Sequence, residues 1–313
     1  MNRLKRITAL DPAGLYFENM PSIVRLHKED AEYIEVLHTN AYRFSQGNKE
    51  LLGHADFFAN GGKKQPGCND KLIYLESIRR GDLKLGETLP GCSHKRSLKY
   101  YLETLINQSC NFLGIACQSY KDFLKGKCSC GVNTESCLRL NTPRPPRSFN
   151  NSYRYYFVTS SSRPFCSETL KVLMSVQSPP TEELYVNGYF NITVPQSIGN
   201  VNFLINENRK IQALKINKQH SFVVFRSTPP PLILPIKRLL ISWHHQPFPC
   251  YWFTTPRVTS FMIQKLSDDK NDTPQWFCAM NTSSRDVKYV RSKTSAINGN
   301  SYEKGQILVP CKN

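Results

Sequence analysis

Ile7-Thr8-Ala9-Leu10-Asp11-Pro12-Ala13-Gly14 is the stretch on which the fold turns. Ile7 to Leu10 reads as a short apolar strand. It ends in an acid followed by proline, a residue that cannot continue the ladder. A carboxylate leaving a strand end is held where it can face a partner. Farther along, Glu32-Tyr33-Ile34-Glu35-Val36-Leu37-His38 alternates and runs into Thr39-Asn40, a second strand followed by a loop. From His94 a helix is expected, with Leu98, Tyr101, Leu102, Leu105 and Ile106 at the spacing of one buried face. Residues 1–137 therefore read as α/β.

Residues 138–150, LRLNTPRPPRSFN, hold three prolines and three arginines and read as a linker. Beyond them the texture changes. RYYFV, LKVLMSV, YFNITV, VNFLI, IQALKI, SFVVF, RLLISW and VTSFMI are short apolar runs separated by polar, proline or glycine breaks. Short strands at regular spacing predict an antiparallel β-sandwich over 151–313.

The composition bounds the function. The chain has 313 residues, with 17 Phe, 15 Tyr and 3 Trp, enough for two packed cores. No apolar run approaches the roughly 20 residues a membrane helix needs, so no transmembrane segment is expected. The formal net charge is +17. A basic exported protein meets anionic lipid, sulfated glycans or acidic surfaces. The basic residues are scattered and no recognition motif accompanies them, so nucleic acid is not an expected partner. Eleven cysteines at spacings 68/92, 117/128, 130/137 and 278/311 look like loop-closing pairs, and no Cys-x-x-Cys with a partnering His points to zinc. Asn-x-Ser/Thr sequons begin at Asn107, Asn150, Asn191, Asn271 and Asn281. With the cysteines they predict a secreted, extracellular glycoprotein. Met1 to Arg6 carries no apolar leader and one cysteine is left over, so the sequence is expected to begin part-way into a longer polypeptide.

Three blocks carry a resemblance: ITALDPAGLYFENMPSIVRLHKEDAEYIEVLHTN, GHADFFANGGKKQPGC and CSHKRSLKYY. In this order they resemble the pancreatic-lipase-like superfamily. NQSCNFLGIAC, GKCSCG and RPFC are most similar to its secreted lipase H/I and phospholipase A1 branch. The resemblance implies the C-terminal part of an α/β-hydrolase lipase domain over 1–137, then a PLAT-like β-sandwich. It implies a Ser-Asp-His triad with Asp11 as acid and His94 as base, in the order serine, acid, histidine. The expected nucleophile elbow, Gly-x-Ser-x-Gly, does not occur in the sequence, and Gly91-Cys92-Ser93-His94-Lys95 lacks its second glycine. The chain by itself is therefore expected to be inactive.

The same resemblance makes 68–92 a lid over the site, apolar at Leu72, Leu75 and Ile78 and basic at Lys71, Arg79, Arg80 and Lys84. The implied partner is a lipid–water interface or phospholipid membrane surface. The long lid points to triacylglycerol and the short segment after His38 to phospholipid, so the acyl substrate stays open. No cofactor is implied. Calcium is the one metal the resemblance raises, at the carbonyls of Ser22 and Arg25 with His27 and Asp30; His27 stands where a carboxylate is wanted by a cation that takes hard oxygen ligands. His38 and His54 read as scaffold histidines, and His244-His245 as an improbable metal pair. Basic strands at 209–218 and 236–240 are solvated faces or contacts for heparin-like glycans. The alternative to an enzyme is a non-catalytic lipid-binding or yolk-type relative, against which retention of Asp11, His94 and the lid argues.

Overall fold

The computed structural model describes residues 4–42, 45–68, 91–107, 110, 112–130, 136–143, 153–177, 185–186, 188–205, 214–226, 232–245, 256–267, 273–279 and 305–311. Backbone contacts divide the chain into two units, 1–123 with 127–167 and 124–126 with 168–313.

The first unit is built on a six-stranded mixed sheet. Its strands are β1 (Leu4–Leu10), β2 (Ala31–His38), β3 (Ala55–Ala59), β4 (Leu113–Ala116), β5 (Cys137–Arg139) and β6 (Tyr153–Phe157), in the spatial order β1-β2-β3-β6-β4-β5. The pairs from β1 through β2 and β3 to β6 are parallel; β4 pairs antiparallel with β6 and with β5. A parallel strand covered on both faces carries apolar residues at successive positions. β2 is buried at successive positions, with only Glu32 exposed along it, and takes Glu35 and His38 into the interior beside its apolar residues. Helix α1 (Cys92–Ile106) and the short α2 (Tyr120–Leu124) complete the unit. Aromatic side chains fill its core, with Phe57, Tyr100 and Tyr155 fully buried.

The second unit is an eight-stranded antiparallel sheet of β7 (Glu168–Gln177), β9 (Gly188–Val194), β10 (Val201–Ile205), β12 (Lys218–Arg226), β13 (Leu239–His245), β14 (Arg257–Lys265), β15 (Gln275–Ala279) and β16 (Gly305–Pro310). Its order is β10-β9-β13-β16-β15-β14-β7-β12, and a two-stranded ribbon of β8 (Tyr185–Val186) and β11 (Leu214–Lys215) stands beside it. The terminal strands β10 and β12 approach each other, so the sheet curls over a single core. β7 and β9 alternate buried and half-buried residues along most of their length, as strands with one covered face must. The core side includes Leu170, Val172, Met174, Phe190, Phe261 and Phe277.

Two expectations change. The division falls at Ser167, beyond the expected 138–150 stretch. RYYFV, taken for the first strand of the sandwich, forms β6 and pairs parallel with β3, Phe57 opposite Tyr155. Cys166 is also bonded to Cys110 in the first unit. The proline-arginine stretch thus joins two strands of one sheet; residues 144–150 lie outside the described ones. The second change concerns α1. Leu98, Leu102, Leu105 and Ile106 are exposed, while Ser93, Arg96, Ser97, Tyr100 and Glu103 are buried. Periodicity marked a face correctly and assigned it to the wrong side. Polar partners explain the inversion: Arg96 donates to the carbonyls of Pro66 and Ser161 at 2.9 and 2.8 Å, and its guanidinium lies 4.7 Å from the Phe165 ring centre.

Candidate active site

Asp11 is held by the end of β1 and the loop after β2. Its amide donates to the Leu37 carbonyl at 2.7 Å, one step past the last β1–β2 pair. Its φ of +51° then turns the chain away from the sheet, a left-handed conformation that Asp tolerates better than most residues. The carboxylate is fully buried. Oδ1 accepts from the amides of Thr39 (2.8 Å) and Asn40 (3.0 Å). Oδ2 lies 2.7 Å from His94 Nδ1.

Gly47 makes this cradle possible. A Cβ placed there would sit 2.5 and 2.6 Å from the two Asp11 oxygens, closer than non-bonded atoms approach. The Gly47 segment is laced to the ITALDPAG turn: Asn48 N donates to Pro12 O and Gly14 N to Gln46 O, both at 2.7 Å.

His94 lies in the first turn of α1. A disulfide from Cys92 to Cys68 pins the helix start, and Ser97 Oγ donates to the His94 carbonyl at 2.8 Å. The ring is 35% exposed beside its fully buried acid. An ionised Asp11 calls for hydrogen on Nδ1, a charge-assisted bond. Nε2 is then the acceptor nitrogen, and it makes no hydrogen bond among the described residues. The two residues named from sequence, 83 positions apart, therefore meet in hydrogen-bonding geometry.

His38, His54 and His244 are engaged within the fold. His38 Nε2 lies 2.8 Å from Asp56 Oδ1 and Nδ1 lies 2.8 Å from Asn48 O, with both side chains of the pair fully buried. Asp56 also accepts from the amides of Leu52 and Gly53, each at 3.1 Å. His54 Nδ1 accepts from the Ile34 amide at 2.9 Å. The His244 ring stacks on Tyr189 with centres 4.7 Å apart.

The calcium ligand set does not fit. Asp30 Oδ2 accepts from the His27 amide at 2.9 Å, and His27 Nδ1 accepts from the Glu29 amide at 3.4 Å. The segment presents a nitrogen and an acid folded onto its own turn, where calcium takes six to eight oxygens. Among the described residues no cluster of three or more His, Cys, Asp or Glu is arranged to hold a metal.

Ten cysteines pair: 68–92, 110–166, 117–128, 130–137 and 278–311. Four of these follow the expected spacings; the 110–166 bridge was not legible from spacing. Lid residues 69–90, residues 209–213 of the 209–218 basic stretch and the His245 side chain lie outside the described residues. No helix among the described residues is long and apolar enough to cross a membrane.

Sequence comparison gives the class to which this geometry belongs. The family described as Lipase matches residues 1–165. The chain belongs to that family, within the pancreatic lipase superfamily. Pancreatic triacylglycerol lipase of Sus scrofa is 37% identical over 184 residues, covering 55% of this chain and 40% of the relative. Pancreatic lipase-related protein 3 of Homo sapiens is 36% identical over 171 residues, covering 52% and 36%. Inactive pancreatic lipase-related protein 1 of Homo sapiens is 39% identical over 133 residues, covering 40% and 27%. The chain thus spans two fifths or less of the length of these relatives. Among solved structures, LOX in complex with arachidonate covers 46% of this chain at 8% identity and a TM-score of 0.27, too slight a likeness to bear on the fold.

Proposed function

We propose that Asp11 and His94 are the acid and base of a Ser-Asp-His triad that hydrolyses carboxylic esters of lipids, and that the serine comes from polypeptide outside this sequence. The carrying observation is the 2.7 Å contact from Asp11 Oδ2 to His94 Nδ1, with the acid fully buried and the imidazole ring 35% exposed. In this reading Nε2 takes the proton of a serine hydroxyl as that oxygen attacks the ester carbonyl, then returns it to the leaving alcohol. Water repeats the cycle on the acyl-serine. Asp11 fixes the tautomer and stabilises the imidazolium. The first unit is then the C-terminal part of an α/β-hydrolase domain, with its parallel strands presenting the acid at a carboxyl end. The second is a PLAT-like sandwich that engages a lipid–water interface, and 68–92 is the lid. Secretion and glycosylation at the sequons belong to the same reading, as does a heparin-like glycan contact at exposed Lys237 and Arg238.

The test is a chimera joining the amino-terminal part of the Sus scrofa pancreatic triacylglycerol lipase to residues 1–313. It is assayed on triacylglycerol and phosphatidylcholine dispersions, whose relative rates assign the acyl substrate. Expected are ester cleavage by the chimera, none by residues 1–313 alone, and a loss of about 10⁴ in kcat for Asp11→Asn. A folded chimera that cleaves neither lipid sinks the proposal, as does cleavage by residues 1–313 alone. One observation favours a second reading, the match to a relative described as inactive. Under it the chimera binds dispersions without cleaving them.

A further inference from the structure

One buried glutamine outside the dyad touches the supports of both its members. Gln65 is 3% exposed and lies between the end of β3 and Cys68. Its carboxamide is used completely. Nε2 donates to the carbonyls of Thr39 (2.8 Å) and Ala59 (2.9 Å). Oε1 accepts from Asn60 Nδ2 (2.7 Å) and from the Tyr100 hydroxyl (3.2 Å). Its main-chain amide donates to Ser93 Oγ at 3.1 Å.

These contacts lead to the dyad from two sides. Thr39 is the residue whose amide holds Asp11 Oδ1. Ser93 directly precedes His94, and Tyr100 lies farther along the same helix. The Gln65 carbonyl also accepts from Cys68 N at 3.1 Å, and Cys68 is bonded to Cys92 at the helix start. One side chain therefore spans the gap between the loop that cradles the acid and the helix that carries the base.

We infer that Gln65 is the positioning residue that sets the Asp11–His94 distance, an inference that rests on reading this pair as acid and base. A primary amide is suited to the place. It offers two donors on one side and an acceptor oxygen on the other, and the two carbonyls on the Thr39–Ala59 side accept only hydrogen. A carboxylate there would set oxygen against oxygen, and an apolar chain would leave buried carbonyls unpaired. A fully satisfied buried network fixes one arrangement. Precision matters because a misplacement of about 1 Å can cost about 100-fold in rate.

The experiment uses the whole chain, 1–313, with ¹⁵N-labelled histidine. The ring ¹⁵N shifts of neutral His94 report which nitrogen carries the hydrogen, and Asp11→Asn assigns the signal by removing the carboxylate. Expected for the unaltered chain is the Nδ1–H tautomer. Gln65→Met is expected to keep the circular dichroism of the fold while moving His94 toward the Nε2–H form. Thr159→Val removes a hydroxyl from the far side of the same network, where it meets Tyr100 and Asn60; it is expected to lower the melting temperature and leave His94 unmoved. A folded Gln65→Met chain with an unmoved tautomer overturns the inference. So does a Thr159→Val chain that shifts it equally, since stability alone would then be the cause. Should Gln65→Met fail to fold, Gln65→Asn keeps the carboxamide one methylene short and is read by the same two outcomes. No ester cleavage enters the readout, so the ring shifts test the positioning by Gln65 and the chimera tests the acid–base reading, and the failure of one is told apart from the failure of the other.

Discussion

Gly47 is where one added carbon reaches the charged centre. Gly47→Ala must displace the Asp11 carboxylate or the turn that faces it, since the new atom arrives 2.5 Å from an oxygen. The expected cost is about 1–3 kcal/mol, as for other over-packed sites, measured by chemical denaturation; wild-type stability in this variant would mean the turn yields freely. Glu35 gives a second prediction. It is buried on β2, bonded to Arg6 Nη2 and to the Asn141 amide at 2.9 Å each. Burial raises its carboxyl above the ordinary range, and Arg6 partly opposes that. A raised folded-state value gives stability that is full below the ordinary carboxylate range and fades as pH rises through the raised one. Arg6→Met deepens the effect. Near neutral pH it is expected to cost up to about 3 kcal/mol, the low end for an orphaned buried charge, because the arginine keeps 27% exposure. The deficit should shrink on acidification; a deficit independent of pH would contradict this. Asp11 and His94 were legible because short contiguous blocks mark them. Gly47, Thr39 and Gln65 were not: Thr39 meets Asp11 across 28 positions and Gln65 across 26, and no local pattern encodes such contacts.

Helix α1 carries the lesson of the next scale. A period of 3.6 says that a helix has two unlike sides. It does not say which side meets the sheet when polar residues can be satisfied there. Here Glu103 accepts from Asn107 at 3.1 Å and pairs with Arg163 at 3.1 Å, so the polar side packs inward and the leucines face out. Leu98→Lys and Leu105→Lys are accordingly expected to change unfolding free energy by less than about 0.5 kcal/mol. Tyr100→Phe, which deletes a hydroxyl shared with Gln65 and Thr159, is expected to cost about 1–2 kcal/mol. Urea titrations compare them, and a large loss from either leucine change would show that the stripe is covered. The strands were legible as short apolar runs between polar, proline or glycine breaks: LKVLMSV and YFNITV fall within β7 and β9, where buried and half-buried residues alternate.

Over the whole molecule two cores are stabilised by different means. Four disulfides, 68–92, 110–166, 117–128 and 130–137, lie in the first unit and one, 278–311, in the second. Reduction is expected to weaken amide protection in β2, β3 and β6 more than in β7 and β14, as seen by hydrogen exchange. Phe57→Ala should lower protection in the first group and Phe277→Ala in the second, each by about 3–5 kcal/mol; a change that loosened both equally would deny the separation. Composition located the change of texture but not the boundary. The expected division fell on the stretch rich in proline and arginine, and only the pairing of Tyr153–Phe157 with β3 shows that the residues after that stretch belong to the first sheet.

The backbone at Asp11 has one more consequence. With φ at +51°, the position admits Asp, Asn or Gly with little strain and penalises bulkier or branched side chains. Replacement here is therefore confined to a short list, with Asn a single-nucleotide step from Asp. The position is constrained by conformation as well as by the hydrogen bonds of its carboxylate.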